Sequence, residues 1–237
     1  ITPRFAPTSS PRQLAGAAEI AAAHPDVWVQ THVAESHAED AWARALFPEA
    51  RSYLDIYDRA GLLRRRAVYA HCLHLSDDDR RRLAESGAAM AVCPTSNLFL
   101  GSGLFDFAAA RQFEQTFGLA SDVGAGTSLS PFRTMLAAYE VARLQGQGLS
   151  PSALWFSHTR GAARALDLEA DVGDLRPGCF ADVVVLDPRA TPLLARRSAR
   201  CETVDELLFA LLTLGDDRAV AETLVAGRPV GAAPPMD

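Results

Sequence analysis

The stretch VWVQTHVAE, residues 27–35, combines a short run typical of a β-strand with polar residues that follow it. Its β-branched and aromatic residues favour a strand over residues 27–32. Residues 13–23 are rich in alanine and follow a Ser-Pro cap signal, and the region after the strand has a helical pattern through about residue 59. A strand between two helices is the unit from which parallel α/β sheets are built.

The same alternation continues along the chain. The pattern predicts further strands at AVYAH (67–71), AAMAVC (88–93) and TFGLASD (116–122). Ser76 and the acidic residues after it predict the start of a helix behind AVYAH, and two more helices are predicted over residues 131–146 and 150–166. With residues 1–5 as the end of another strand, five strands are separated by helices, which predicts a parallel sheet.

Polar side chains stand at the carboxyl ends of these predicted strands. They are Arg4, His32, His71 and Asp122. In a (β/α) barrel the active site is built on the face where the strands end. One such residue alone would carry little information, but four in register predict a shared site.

The pattern changes after residue 166. VGDLRPGCFADVVVLDP (172–188) and VAETLVAGRPV (220–230) have the turns and valine runs of β-structure, and residues 202–217 between them have helical spacing. We therefore expect an α/β barrel portion over residues 1–166 and a small β-rich unit with an inserted helix over residues 167–237.

Composition excludes several classes of function. The chain has 237 residues, 49% of them hydrophobic, and a net charge of -6, which argues against a nucleic-acid partner. No apolar run reaches the roughly 20 residues that a membrane span needs, so no membrane partner is expected. The four cysteines lack CxxC spacing and are expected to be reduced thiols of a cytoplasmic protein.

Four of the polar residues could carry out metal-assisted chemistry. His32 is a possible metal ligand, and Glu35 could move protons near the same metal. His71 is a possible ligand or an electrostatic partner of the nucleophile, and the carboxylate of Asp122 could bind a metal and accept a proton. Each one alone is more simply explained as a structural histidine or a solvated carboxylate. The remaining histidines, His24, His37 and His74, are expected in surface loops.

The loop CPTSNLFLGSGLF (93–105), with its polar residues followed by aromatic ones, is expected on the substrate side of the site. Together with ITPRFAP, QTHVAE, VYAHC, SDVGAGTS and LLFALLTLGDDRAVAETLVAGR, it resembles the bacterial guanine deaminases of the amidohydrolase superfamily. The resemblance covers essentially the whole chain. It implies the C-terminal portion of a TIM-like (β/α)8 barrel and part of a small β-sandwich domain.

The resemblance also implies a reaction, the zinc-dependent hydrolysis of guanine to xanthine and ammonia, with one zinc ion per subunit. His32 and Asp122 would be metal ligands, and Glu35 would protonate the purine ring and pass on protons from the attacking water. His71 would steady the nucleophile, and Asp122 would also take its proton. Arg4, Phe5, His32 and Glu35 would contact guanine. A homodimer is implied as well.

One departure from the resemblance is large. The first two metal ligands of the family form a His-x-His motif, and no such motif occurs in this sequence. The sequence is therefore expected to be the C-terminal part of a deaminase, inactive and short of zinc ligands alone. Two alternatives stay open. One is another aminohydrolase, acting on 8-oxoguanine, pterins or cytosine, and the other is a non-catalytic remnant.

Overall fold

A parallel sheet organises the first part of the chain in the computed structural model, which describes residues 1–230. Its strands are β1 (Val29–Val33), β2 (Ala67–His71), β3 (Ala89–Val92) and β4 (Thr116–Leu119). They lie in chain order, and each neighbouring pair is parallel. The predicted α/β class with a parallel sheet is confirmed, although the sheet does not close into a barrel within residues 1–230.

The first five residues extend the sheet beyond β1. The amide of Gln30 donates to the Ile1 carbonyl at 2.9 Å, and the amide of His32 donates to the Arg4 carbonyl at 3.3 Å. Phe5 forms an isolated parallel bridge with His32. Residues 1–5 therefore run alongside β1 and pair with it through a single bridge. They do not form the strand end that was expected.

Helices connect the strands and continue after β4. They are α1 (Pro11–Ala23), α2 (His37–Leu46), α3 (Tyr53–Arg59), α4 (Asp77–Glu85), α5 (Pro94–Leu100), α6 (Phe107–Gln112), α7 (Pro131–Leu144), α8 (Pro151–His158), α9 (Arg160–Ala165), α10 (Pro192–Ser198) and α11 (Val204–Leu214). Local capping explains several of the starts. The Ser76 side chain accepts from the Asp79 amide ahead of an acidic first turn, as predicted for α4.

Two predicted helical regions are interrupted. The region through residue 59 divides into α2 and α3, because Pro48 follows the end of α2 and the Ser52 side chain then caps a new helix by accepting from Asp55. The region 150–166 divides into α8 and α9 at Thr159, whose ψ of -100 is not helical.

The segment 93–105 is not the continuous loop that was expected. Pro94 occupies the first turn of α5, where its missing amide costs no hydrogen bond. Gly101 ends the helix with a left-handed φ of 69, which glycine adopts without strain. The helix places residues 94–100 at the carboxyl end of β3, and only the residues after Gly101 form a loop.

Buried aromatic side chains fill the space between the sheet and the helices that follow β1. Tyr53 and Tyr57 of α3 stack with ring centroids 5.9 Å apart, and Tyr57 lies 5.5 Å from Tyr69 of β2. All three are essentially inaccessible to solvent. Burial of rings of this size is a large share of core stabilisation, so α3 is held firmly behind β1 and β2.

A second, antiparallel sheet lies in the unit expected over residues 167–237. Its strands are β5 (Val183–Leu186), β6 (Val220–Val225) and β7 (Arg228–Pro229), in that order. The inserted helix appears as α11, and it packs against α7 and α8 of the first unit. The boundary at residue 167 stays a prediction, and residues 231–237 of the expected unit lie outside the described residues.

Within residues 1–230, no helix has both the length and the apolar character that a membrane crossing requires.

Candidate active site

A single pocket of about 260 Å³ collects the residues singled out in the sequence. It is lined by Arg4, Phe5, His32, Glu35, His71, Leu100, Asp122 and Ala125. It opens where β1 and β2 end, because the paired residues Val33 and His71 bring these strand ends level. A larger cavity of about 580 Å³ lies against α1 and α3 and holds none of the predicted site residues, so the smaller pocket is the candidate site.

The backbone around this pocket adopts left-handed conformations at residues other than glycine. Ala34, His71, Cys72 and Asp122 have φ values of 50, 70, 55 and 48. Each costs on the order of 1–3 kcal/mol, and such residues cluster where a site must aim a side chain. Gly126 helps to hold the turn after β4, because a Cβ at this position would lie 1.8 Å from the Ser121 carbonyl oxygen. The turn that carries Asp122 therefore requires glycine there.

His32 is oriented by the segment that precedes β1. Its Nδ1 lies 2.6 Å from the Arg4 carbonyl oxygen, which can only accept, so Nδ1 carries the proton. The Nε2 lone pair of His32 is consequently free. This pattern, with a backbone carbonyl behind the imidazole, is the one that fixes metal-binding histidines.

The hydroxyl of Tyr57 fastens the same two segments from behind. It accepts from the Ala6 amide at 2.8 Å and donates to the His32 carbonyl at 2.8 Å, and it lies 3.1 Å from Thr31 Oγ1. Burial raises the pKa of Tyr57 to about 12, so the hydroxyl keeps its proton for this bond. Tyr57 thus sets the spacing between the Arg4 segment and His32.

His71 is buried between two polar partners. Its Nδ1 lies 2.8 Å from Asn97 Oδ1, and its Nε2 lies 3.6 Å from Glu35 Oε2. The ring stacks beside that of His32 with centroids 5.4 Å apart. The amide oxygen of Asn97, a residue only 1% exposed, accepts this hydrogen bond. The proton therefore lies on Nδ1 of His71, and Nε2 faces Glu35.

Glu35 is held by the loop that follows α5. Ser102 donates from its hydroxyl to Glu35 Oε1 at 2.9 Å, and the Ser102 carbonyl oxygen lies 3.0 Å from His74 Nε2. His74 was expected at the loop surface but is half-buried, because its ring supports this loop and lies 3.9 Å from the ring of the exposed His37. Ser102 therefore holds one oxygen of Glu35, and the other oxygen lies 3.6 Å from His71 Nε2 without a hydrogen bond to it.

A second carboxylate, Glu39 of α2, follows four residues after Glu35. Burial raises its pKa, and the charge of Glu35 adds to this effect. Glu39 does not line the pocket, so Glu35 is the glutamate that can meet a bound molecule.

Arg4 and Phe5 form the opposite wall of the pocket. The exposed guanidinium of Arg4 lies 5.3 Å from the centroid of the Phe5 ring, and Phe5 packs edge-on against Trp42 at 5.9 Å. Arg4 makes no ion pair with any residue in the range 1–230. A planar donor group beside an aromatic ring suits a flat ligand with acceptor oxygens.

Comparison with known proteins identifies the family. The amidohydrolase family profile matches residues 1–230. The chain belongs to the amidohydrolase family. It is 44% identical over 230 residues to the guanine deaminase of Escherichia coli, and the match covers 97% of this chain and 52% of that protein.

Solved amidohydrolase structures agree with this assignment. The Escherichia coli guanine deaminase structure superposes with a TM-score of 0.94 and 44% identity, covering 96% of this chain and 54% of the other. A guanine deaminase from C. acetobutylicum, solved with guanine bound in its active site, gives a TM-score of 0.86 and 25% identity, covering 96% and 54%. The chain therefore spans about half the length of the amidohydrolases it matches.

Members of the amidohydrolase family generally use a metal, and the pocket offers suitable ligands. His32 presents a free Nε2, and Asp122 presents a carboxylate to the same pocket. Imidazole and carboxylate are both zinc ligands. Among residues 1–230, one group of three possible ligands has donor atoms within 4.8 Å of one another, and it comprises His71, Cys93 and Asp122 rather than His32. His32 and Asp122 thus fit as part of a ligand set and do not complete one.

Three residues that orient the side chains of this pocket were not identified from the sequence. Asn97 and Ser102 lie in the segment that was assigned to the substrate side, but nothing in their spacing points to His71 or Glu35. Tyr57 lies in the interior of a helix and has no local signal at all.

Proposed function

We propose that this chain carries the purine-binding and proton-transfer groups of a zinc-dependent guanine deaminase. The observation that carries the proposal is the meeting of Arg4, Glu35, His71 and Asp122 around one pocket of about 260 Å³. The 44% identity to the Escherichia coli guanine deaminase supports it, as does the guanine bound in the C. acetobutylicum relative.

The reaction is a hydrolysis at the carbon that bears the exocyclic amino group. A water oxygen forms a bond to this carbon, the bond to the amino nitrogen breaks, and the products are xanthine and ammonia. A zinc ion held in part by His32 and Asp122 would lower the pKa of the attacking water and make it nucleophilic at neutral pH.

The protein groups have to move two protons and hold the ring. Glu35 takes one proton from the attacking water and delivers it to the purine ring nitrogen, and Asp122 accepts the other and returns it to the departing amino group, so both protons that the products gain come from the water. Glu35 is placed for this by Ser102, which holds one carboxylate oxygen while the other faces the pocket. His71, oriented by Asn97, hydrogen bonds to the attacking water from the side of β2.

The remaining groups select the base. Arg4 offers two parallel donors to the purine carbonyl, and Phe5 packs against the ring face. A rigid fork gives stronger discrimination than a flexible ammonium, because its two donors match a carbonyl acceptor only in one orientation of the base.

Further features of the whole protein belong to the same proposal. We infer one zinc ion per subunit, a homodimer and a cytoplasmic location. The zinc count and the dimer rest on the family resemblance alone. The free thiols of Cys72, Cys93, Cys179 and Cys201 support a reducing compartment.

Glu35→Gln tests the proposal, because it removes the proton carrier and leaves the ligands His32 and Asp122 intact. The variant is made in a completed protein, defined as residues 1–237 joined to the part of the Escherichia coli relative that this chain does not cover. We expect normal zinc content and a loss of guanine turnover well beyond tenfold, which corresponds to about 1.4 kcal/mol in the barrier. Glu85→Gln, at an exposed position of α4, is the matched control. Turnover within about tenfold of the unaltered protein would refute the role of Glu35.

A further inference from the structure

Cys93 has no part in the proposed reaction, yet it lies beside two residues that do. Its sulfur, a ring nitrogen of His71 and a carboxylate oxygen of Asp122 lie within 4.8 Å of one another. The side chain is 2% exposed, and Sγ makes one weak hydrogen bond, to the Ala91 carbonyl oxygen at 3.5 Å. A buried thiol, an imidazole and a carboxylate therefore converge behind the pocket.

The three groups come from three adjacent strands. His71 ends β2, Cys93 follows β3 and Asp122 follows β4. Ligand atoms around a tetrahedral ion with bonds of about 2.0–2.3 Å are roughly 3.5 Å apart. Since all three donor atoms lie within 4.8 Å of one another, no pair has to approach by more than about 1.3 Å. The half-buried Asp122 side chain can provide this movement without a change in the sheet.

The chemistry of the donors selects the cation. Thiolate is a soft ligand, and a site that contains thiolate and imidazole prefers zinc-like and softer ions to magnesium or calcium. A cysteine binds such a cation through its thiolate, in exchange for the thiol proton. A divalent cation replaces this proton: the sulfur–hydrogen bond breaks, a sulfur–metal bond forms, and the proton leaves to solvent.

We propose that His71, Cys93 and Asp122 form a binding site for thiophilic divalent cations, and that occupation of this site blocks the active site by withdrawing His71 and Asp122. The blocking step rests on the proposed function, whereas the binding step does not. The set differs from the ligands assigned to the catalytic zinc, because it contains Cys93 and lacks His32.

Cadmium titration of the 237-residue chain tests the binding step. The half-buried Cys179 and Cys201 are first replaced by serine, which leaves only the buried Cys72 and Cys93. We expect the sulfur-to-cadmium charge-transfer absorption to rise to one equivalent. Cys93→Ser should abolish it, and the matched control Cys72→Ser should retain it, because Cys72 is equally buried but outside the cluster.

Asp122→Asn provides an independent check in which both thiols are kept. It should weaken cadmium binding by at least the roughly tenfold that is typical when a supporting partner of a metal site is lost. Any of three results would refute the proposed site: absorption that persists in Cys93→Ser, absorption that is missing from the starting protein, or unchanged cadmium affinity in Asp122→Asn.

The completed protein tests the blocking step. Cadmium should inhibit guanine turnover, and Cys93→Ser should relieve the inhibition by about tenfold or more in cadmium concentration. Equal inhibition of both proteins would overturn this step. If the completed protein does not use guanine, the absorption measurements still show whether cadmium binds at Cys93. Failure of the proposed function and failure of the proposed cation site are therefore distinguishable.

Discussion

Arg4 contributes to the site through both its backbone and its side chain. Its carbonyl oxygen accepts from His32 and from Thr31, and its guanidinium faces the pocket. A change of the side chain that keeps the backbone therefore separates the two contributions.

We predict that Arg4→Lys raises the KM for guanine and leaves the zinc content near normal. A flexible ammonium cannot reproduce two parallel hydrogen bonds, but the carbonyl still orients His32. Steady-state kinetics of the completed protein, with Arg12→Lys on the exposed face of α1 as control, measure the effect. An unchanged KM would indicate that Arg4 does not contact the substrate.

His71 should have one dominant tautomer. Because Asn97 Oδ1 accepts from Nδ1, we predict a proton on Nδ1 and a bare Nε2 in the 237-residue chain. Nitrogen NMR of labelled histidine distinguishes the tautomers, with the exposed His24 as the reference for the Nε2-protonated form. Asn97→Ala should shift His71 toward that form. A Nε2 proton in the unaltered chain would contradict the assignment of the Asn97 amide.

The sequence indicates the pocket-lining residues better than it indicates what orients them. Arg4, His32 and His71 stand at or next to strand ends, and parallel strands bring such residues to one edge whatever the details of packing. Asn97 and Tyr57 act on residues that are 26 and 25 positions away, and these contacts exist only after the helices pack. Local patterns hold no information about that packing.

At the scale of the elements, a buried charge network joins α3 to α4. Asp55, 2% exposed, accepts from the Arg51 guanidinium and from Arg82 of α4, each at 2.8 Å. Burial alone would raise the pKa of Asp55, but the Arg51 amide and the two guanidinium groups outweigh it and lower the pKa from 3.8 to about 2.

This network predicts a pH dependence of stability. The folded pKa lies below the unfolded one, so the carboxylate stabilises the fold at pH values above about 4, and the contribution is lost as the pH falls through about 2. Asp55→Asn should reduce the free energy of unfolding near neutral pH, and its difference from the unaltered chain should shrink across this range. Urea unfolding at a series of pH values measures it. A difference that does not vary with pH would contradict the network.

Element types were predicted more reliably than element limits. AVYAH matches β2 at both ends, because its apolar run begins directly after Arg66 and ends at the polar His71. β1 begins two residues later than predicted, since Val27 and Trp28 lie before the paired region, although both favour strands. α5 was missed because its proline, serine and asparagine are typical of turns, and only the packing at the end of β3 makes a helix of them.

At the scale of the whole molecule, the described part contains one face of the candidate active site. The parallel sheet has four strands and is not closed, and the chain covers about half of its relatives. The donor atoms of His32 and Asp122 leave a tetrahedral zinc ion without its full ligand set. We therefore expect His32 and Asp122 of the 237-residue chain to hold zinc only weakly in the catalytic position, and the chain to need the uncovered part of its relatives for turnover.

The most direct test of the account is ammonia release from a panel of guanine, 8-oxoguanine, pterin and cytosine. The completed protein and the 237-residue chain are assayed side by side, with zinc content determined on the same samples. We predict that the completed protein holds zinc and releases ammonia fastest from guanine, and that the 237-residue chain releases no ammonia from any of the four bases. A completed protein that prefers another base, or that binds zinc and deaminates nothing, would contradict the assignment of the site to guanine. A zinc-loaded, active 237-residue chain would contradict the claim that its ligand set is incomplete.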